Sequence, residues 1–111
     1  MNYEVFNWDN KIIDFNVNVI CDDEFSKEIQ ILMPKGSSMD KHNAPARIIV
    51  QVLKGEIDFE INGEVKNLKS LMSIRVDAKI FHSLYAKEDS IIRLSLAKND
   101  SVSRVKSVIF K

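Results

Sequence analysis

The stretch MPKGSSMDKHNAPARIIVQVLKG, residues 33–55, carries the clearest structural signal in the chain. It contains a turn at Pro34 and Gly36, a polar passage with His42, and a run of β-branched and apolar residues that closes at Gly55. That run, residues 47–53, is too short for a typical helix and predicts a largely buried strand. A turn, a histidine and a buried strand are therefore expected in close succession.

Short segments of alternating apolar and polar residues surround this stretch. Residues 57–61 and 65–68 flank Asn62-Gly63, the pattern of a hairpin with a type I′ turn. Alternation also predicts that His82 shares a strand face with its apolar neighbours, and that residues 3–19 and 102–110 form strands. Many short strands at such spacing predict an all-β sandwich or barrel, and 111 residues fit one domain spanning residues 1–111.

Composition narrows the classes of partner and location. Sixteen basic and sixteen acidic residues cancel, so no positive field favours nucleic acid as a partner. The amino terminus lacks the apolar run of a signal peptide, and no segment is long and apolar enough for a membrane span. The single cysteine, Cys21, fits a reducing compartment. These features predict a cytoplasmic protein.

The spacing of glycine and histidine resembles the two motifs of the cupin superfamily. The first, G-x5-H-x-H-x3,4-E-x6-G, is matched by Gly36, His42 and Gly55. The second, G-x5-P-x-G-x2-H-x3-N, resembles residues 71–86, with His82 at its histidine. The two segments together span most of the chain. The resemblance implies a small cupin-type jelly-roll β-barrel with a pocket inside, commonly a homodimer.

The departures from these motifs bear on the chemistry. The cupin motifs supply four metal ligands, of which the first and last histidines correspond to His42 and His82. The second histidine is replaced by Ala44 and the glutamate by Ile48. The second motif also differs at four positions, which are Leu71, Asp77, Lys79 and Ala86. Catalytic zinc sites use three protein ligands, and oxygen-activating iron sites use two histidines and a carboxylate. A degenerate metal site in a drier, more apolar pocket is therefore expected.

Asp40 is the one nearby carboxylate that offers a third ligand. It lies two residues before His42 and shares the face of that histidine if the strand is regular. The alternative to a metal-free pocket is thus one divalent ion, Fe, Zn or Mn, held by His42, His82 and Asp40.

Three functions follow from these expectations. The leading one is a non-catalytic or metal-poor cupin that binds a small molecule, for instance a sugar, with His42, Gln51 and His82 nearest the barrel mouth. The alternative is a small metal-dependent oxygenase or isomerase, so whether the protein is an enzyme stays open. The third is a structural or protein-interaction role, which a barrel filled by its own side chains favours. A homodimer is expected because residues 102–110 form a strand that the barrel hardly requires.

Overall fold

The computed structural model describes residues 2–111. Within them, two antiparallel sheets face each other and a single short helix follows the last strand. The elements are β1 (Asn16–Asp22), β2 (Ser26–Met33), β3 (Ser38–His42), β4 (Ile48–Lys54), β5 (Glu56–Ile61), β6 (Glu64–Lys69), β7 (Ser73–Val76), β8 (His82–Ala86), β9 (Ser90–Ala97) and α1 (Val102–Lys106). No helix within residues 2–111 is long and apolar enough to cross a membrane.

The strand order is that of a jelly roll. The first sheet has the order β1-β2-β9-β4-β7, and the second has the order β3-β8-β5-β6. Every strand pair is antiparallel. The predicted all-β jelly-roll barrel is confirmed.

Strand alternation places one face of each sheet in the core. In β4, Ile48, Val50 and Val52 are buried while the residues between them are partly exposed. Phe59 of the second sheet is fully buried in the same core cluster. Each such side chain contributes about 1.5–3 kcal/mol by leaving water, so apolar burial between the sheets is the main stabilising term.

The predicted hairpin between β5 and β6 is confirmed. Asn62 and Gly63 join the strands with φ of 52° and 75°, the positive values that a type I′ turn requires at both central residues.

The four positions that are glycine in the cupin motifs all have a left-handed backbone in this chain, whether glycine is kept or replaced. Gly36 and Gly55 have φ of 86° and 96°, and Leu71 and Lys79 have φ of 75° and 67°. A side chain at Gly55 would also collide with the Ser90 hydroxyl and the Asp89 carbonyl. The second motif has thus lost its glycines but kept their conformation, which supports the alignment of residues 71–86.

The expectation of strands throughout residues 3–19 is wrong for its first part, because the first strand begins at Asn16. Side chains there bond to neighbouring backbone amides: Asp9 N–H donates to Asn7 Oδ1, and Lys11 N–H donates to Asn10 Oδ1. Such local bonds compete with strand pairing. The segment is anchored on the first sheet instead, where Gln30 Nε2 donates to the Trp8 carbonyl and Arg93 lies 5.0 Å from the Trp8 ring.

The expectation of a strand at residues 102–110 is also wrong. Val102–Lys106 is helical, and Ser101 is its N-cap, with the Ser101 hydroxyl accepting from Arg104 N–H at 3.1 Å. The remaining residues return along β3, where Asp40 N–H donates to the Ile109 carbonyl and Met39 bridges Phe110. The carboxy terminus therefore covers an edge of its own second sheet, which removes the structural ground on which a homodimer was expected.

Candidate functional site

His42 and His82 lie side by side at one end of the barrel. They are register partners on β3 and β8, and their ring centroids are 4.3 Å apart with the planes at 65°. The His82 ring also stacks on Phe59 at 5.2 Å and 13°. Packing of this kind holds both imidazoles in fixed orientations, so the predicted pair does come together.

Backbone carbonyls fix the tautomer of each histidine. His42 Nδ1 lies 2.7 Å from the Asp40 carbonyl, and His82 Nδ1 lies 3.0 Å from the Ile80 carbonyl. A carbonyl only accepts, so Nδ1 carries the proton and Nε2 keeps its lone pair. Within residues 2–111 no fully enclosed side-chain nitrogen or oxygen lacks a partner. Both Nε2 atoms, which have no hydrogen-bond partner there, are therefore not completely enclosed.

Burial keeps both rings neutral. Desolvation lowers the pKa of His82 to about 4, with further lowering by His42 and Arg104 and an opposing contribution from the Ile80 carbonyl. Desolvation also lowers the pKa of His42, again with Arg104 acting in the same direction. At neutral pH the site thus presents two uncharged hydrogen-bond acceptors.

The histidines border a small internal cavity of about 20 Å³. Its remaining wall is mostly aliphatic and includes Ile48, Val50 and Leu84, together with Arg104 and Val105 of α1. A cavity of this size holds about one water molecule, far below the roughly 300–1,000 Å³ of typical ligand pockets. Ile48, at the glutamate position of the motif, makes the cavity apolar as expected.

The residues of α1 at the site were not predicted from the sequence. Arg104 Nε and Nη2 donate to the two Asp100 carboxylate oxygens at 2.6 and 2.8 Å, and Nη1 donates to the Asn43 carbonyl at 3.2 Å. The signals were present: a capping serine at 101, apolar residues at 102 and 105, and opposite charges four residues apart.

Gln51 does not lie at the site, contrary to expectation. It alternates with Val50 and Val52 on β4, and these two face the core. Its side chain therefore points to the outer face of the first sheet, and its neighbours in register are Ser73 and Arg93. The alternation of buried and exposed residues along β4 was enough to predict that Gln51 faces outward.

Asp40 also fails to share the face of His42. Met39 pairs with Leu84 and His42 pairs with His82, so β3 has one more residue than β8 between these pairs. This β-bulge turns both Met39 and His42 to the cavity and reverses the expected alternation. The Asp40 carboxylate instead lies 3.5 Å from Lys111 Nζ.

The residues present do not fit a mononuclear metal ion. Within residues 2–111 no group of three or more His, Cys, Asp or Glu side chains is placed to hold one. Two imidazole nitrogens leave such an ion short of protein ligands, and Asp40 contributes only its carbonyl, to the His42 ring. The alternative ligand set of His42, His82 and Asp40 is therefore incomplete.

Comparisons by sequence identify no relative: neither a family model nor a curated protein matches the chain. Solved structures do match it. An RmlC-like cupin family protein with a double-stranded β-helix fold from Methanocaldococcus jannaschii is 17% identical, with a TM-score of 0.74 over 96% of this chain and 99% of that one. A conserved protein of unknown function from Streptococcus pyogenes is 19% identical, with a TM-score of 0.70 over 91% and 100%.

A third structure, KdgF from a Halomonas species, is 18% identical, with a TM-score of 0.67 over 77% of this chain and 88% of that one. Identities this low establish the fold alone. The two-sheet topology, the left-handed motif positions and these likenesses agree, and the chain has the fold of the cupin superfamily.

Proposed function

We propose that this chain is a non-catalytic small-molecule-binding cupin, and that its ligand donates hydrogen bonds to Nε2 of His42 and of His82. The single observation that carries the proposal is the pair of neutral imidazoles whose Nδ1 atoms are both committed to backbone carbonyls. Two fixed acceptors beside an aliphatic wall suit a compound that combines hydroxyl groups with apolar C–H faces. A sugar or another polyol is such a compound.

Size sets a condition on this proposal. A cavity of about 20 Å³ admits a polyol only if part of its lining moves, and Arg104 and Val105 are the lining residues that lie on α1 rather than in a sheet. The helix has five residues, too few to be stable in isolation. Outward movement of the helix would break the Arg104–Asp100 ion pair and expose Val105, which is 3% exposed.

Ligand-observed saturation-transfer NMR with a panel of monosaccharides and polyols tests the proposal. We expect at least one probe to bind, and His42→Phe to weaken that probe about fivefold or more, since one hydrogen bond is worth about 1 kcal/mol. Gln51→Ala is the matched control, because Gln51 lies on the outer face of β4, and it should leave the affinity unchanged. Equal binding by His42→Phe and the unaltered protein would contradict the proposal.

The small cavity itself favours a second candidate, a structural or protein-interaction role with no ligand in the barrel. In that case no probe binds at any soluble concentration, and hydrogen exchange of the α1 amides is unaffected by the panel. Ligand binding predicts the opposite, with faster exchange of the α1 amides when a probe occupies the cavity. No observation favours the oxygenase or isomerase, whose ligand set is incomplete.

A further inference from the structure

An open pocket of about 310 Å³ lies beside the barrel end. It is formed by the end of β3, the β5–β6 hairpin and the turn before β8, and His82 contributes a wall that it shares with the internal cavity. Its volume is at the lower end of the range of known ligand pockets, roughly 300–1,000 Å³. Unlike the internal cavity, it has room for a small organic compound without any movement of the chain.

The lining combines positive charge with apolar surface. Lys41 and Lys79 border the pocket with one acidic residue, Glu60, so the local charge is positive while His82 is neutral. Neither lysine forms a salt bridge within residues 2–111. The Lys41 ammonium lies 6.0 Å from the centre of the Phe81 ring, and that ring is 53% exposed.

The backbone of Lys79 provides an independent observation. Its φ is 67°, a left-handed conformation that costs a residue with a side chain about 1–2 kcal/mol and costs glycine almost nothing. Hydrogen bonds fix the conformation on both sides, since Lys79 N–H donates to the Ala44 carbonyl at 2.8 Å and Asn43 Nδ2 donates to the Lys79 carbonyl at 3.5 Å. A strained lysine at the edge of a pocket points to a use for its side chain.

From this juxtaposition we infer that the pocket binds a small carboxylate with a flat apolar body. The carboxylate meets the ammonium groups of Lys41 and Lys79, and the flat body lies against Phe81 and Ile61. Asn62 and Ser83, which also border the pocket, supply polar contacts at its rim. This site lies outside the barrel cavity proposed to bind a ligand at His42 and His82, although both sites are bordered by His82.

Benzoate and its uncharged counterpart benzamide are the probes, and the readout is the amide shifts of ¹⁵N-labelled full-length protein. We expect benzoate to shift the amides of residues 60–63 and 79–83 and to bind more tightly than benzamide. Lys79→Gly should weaken benzoate about three- to fivefold, as expected for a partly exposed ion pair, and leave benzamide unchanged. Because glycine relieves the strain at this position, loss of binding would not be loss of folding.

Three control variants isolate the charge of Lys79 from the shape of its turn and from the barrel cavity. Ala78→Gly alters the same turn without removing charge and should keep benzoate binding, as should the charge-preserving Lys79→Arg. His42→Phe should also keep benzoate binding, so this test stays valid even if no ligand binds in the barrel. The inference is overturned if benzoate moves none of these amides, if the two probes bind equally, or if Lys79→Gly binds benzoate like the unaltered protein.

Discussion

Arg104 and Asp100 form a two-point ion pair across one turn at the start of α1, with both carboxylate oxygens accepting from the guanidinium. The Asp100 side chain is 1% exposed and that of Arg104 is 23% exposed. Through its third contact, to the Asn43 carbonyl, Arg104 also ties the helix to the loop after β3. This pair therefore holds the wall that closes the barrel beside the two histidines.

Arg104→Ala should lower the free energy of unfolding by about 3 kcal/mol, because it leaves a buried carboxylate without its ionic partner. Urea unfolding measures the change, and hydrogen exchange should show that the α1 amides open first. Arg75→Ala is the control, because its 3.8 Å contact with Asp77 is exposed and should be worth less than about 0.5 kcal/mol. Equal losses in the two variants would show that the ion pair does not fasten α1.

Stability should fall as the pH is lowered from about 6.5 to about 4. The folded pKa of His82 is about 4 against an ordinary value of 6.5, so the unfolded chain binds a proton throughout this window and the folded chain does not. His82 stabilises the fold fully above pH 6.5, and about 3 kcal/mol is lost by the lower limit. Urea unfolding across this range measures the slope.

The control for this slope is His82→Phe, which keeps a flat ring against Phe59 and cannot take up a proton. Carboxylates and His42, whose pKa is also lowered by burial, titrate in both proteins, so the difference between the two curves reports on His82. We expect the curve of the variant to be flatter between pH 4 and 6.5. Parallel curves would mean that His82 protonates in the folded protein as freely as in the unfolded one.

Glycine should stabilise the protein at Lys79 and at Leu71. Glycine removes the strain of a left-handed backbone, which stabilises the folded chain by about 1–2 kcal/mol. It also increases the conformational entropy of the unfolded chain, which destabilises the fold by about 0.4–1 kcal/mol. The net gain is about 0.5–1 kcal/mol, measured by urea unfolding. Ala78→Gly, in the turn of Lys79 but with an ordinary backbone, should instead destabilise. A loss at Lys79 equal to that at Ala78 would rule out strain at this motif position.

A homodimer remains a prediction, now resting on the amino-terminal segment. Tyr3 and Val5 are 76% and 92% exposed, on a segment that contacts the first sheet through Trp8, and apolar side chains of this kind commonly pack on a partner. Sedimentation should give a dimer at high micromolar concentration, and Tyr3→Ser with Val5→Ser should shift it toward monomer. Val65→Ser, on exposed β6, is the control. A monomeric unaltered protein would contradict the prediction.

Local patterns in the sequence were sufficient to predict most of the fold. Alternation in β4 and β9 and the Asn62-Gly63 turn depend on neighbouring residues, so they are visible before the chain is folded. The histidine pair was also predictable, because motif spacing places His42 and His82 on strands of the same barrel. Gln51 was wrongly predicted to line the barrel, although it alternates with the core residues Val50 and Val52.

Other features depend on contacts that no local pattern contains. The bulge in β3 turns Asp40 away from His42, and it is specified by pairing with β8 and the carboxy terminus, some forty and seventy residues further along the chain. Residues 102–110 were expected to form a strand, but residues 102–106 form a short helix. In the helix Val105 is buried and Arg104 contacts Asp100 and Asn43. Tertiary packing overrode local propensity in this segment.

The most direct test of the central claim is the ¹⁵N spectrum of the histidine side chains at neutral pH, with long-range couplings to the ring protons. We predict that His42 and His82 are both neutral, with the proton on Nδ1 and an unprotonated Nε2 free to accept from a ligand. A proton on Nε2 of either ring, or an imidazolium at either position, would contradict the proposed binding site.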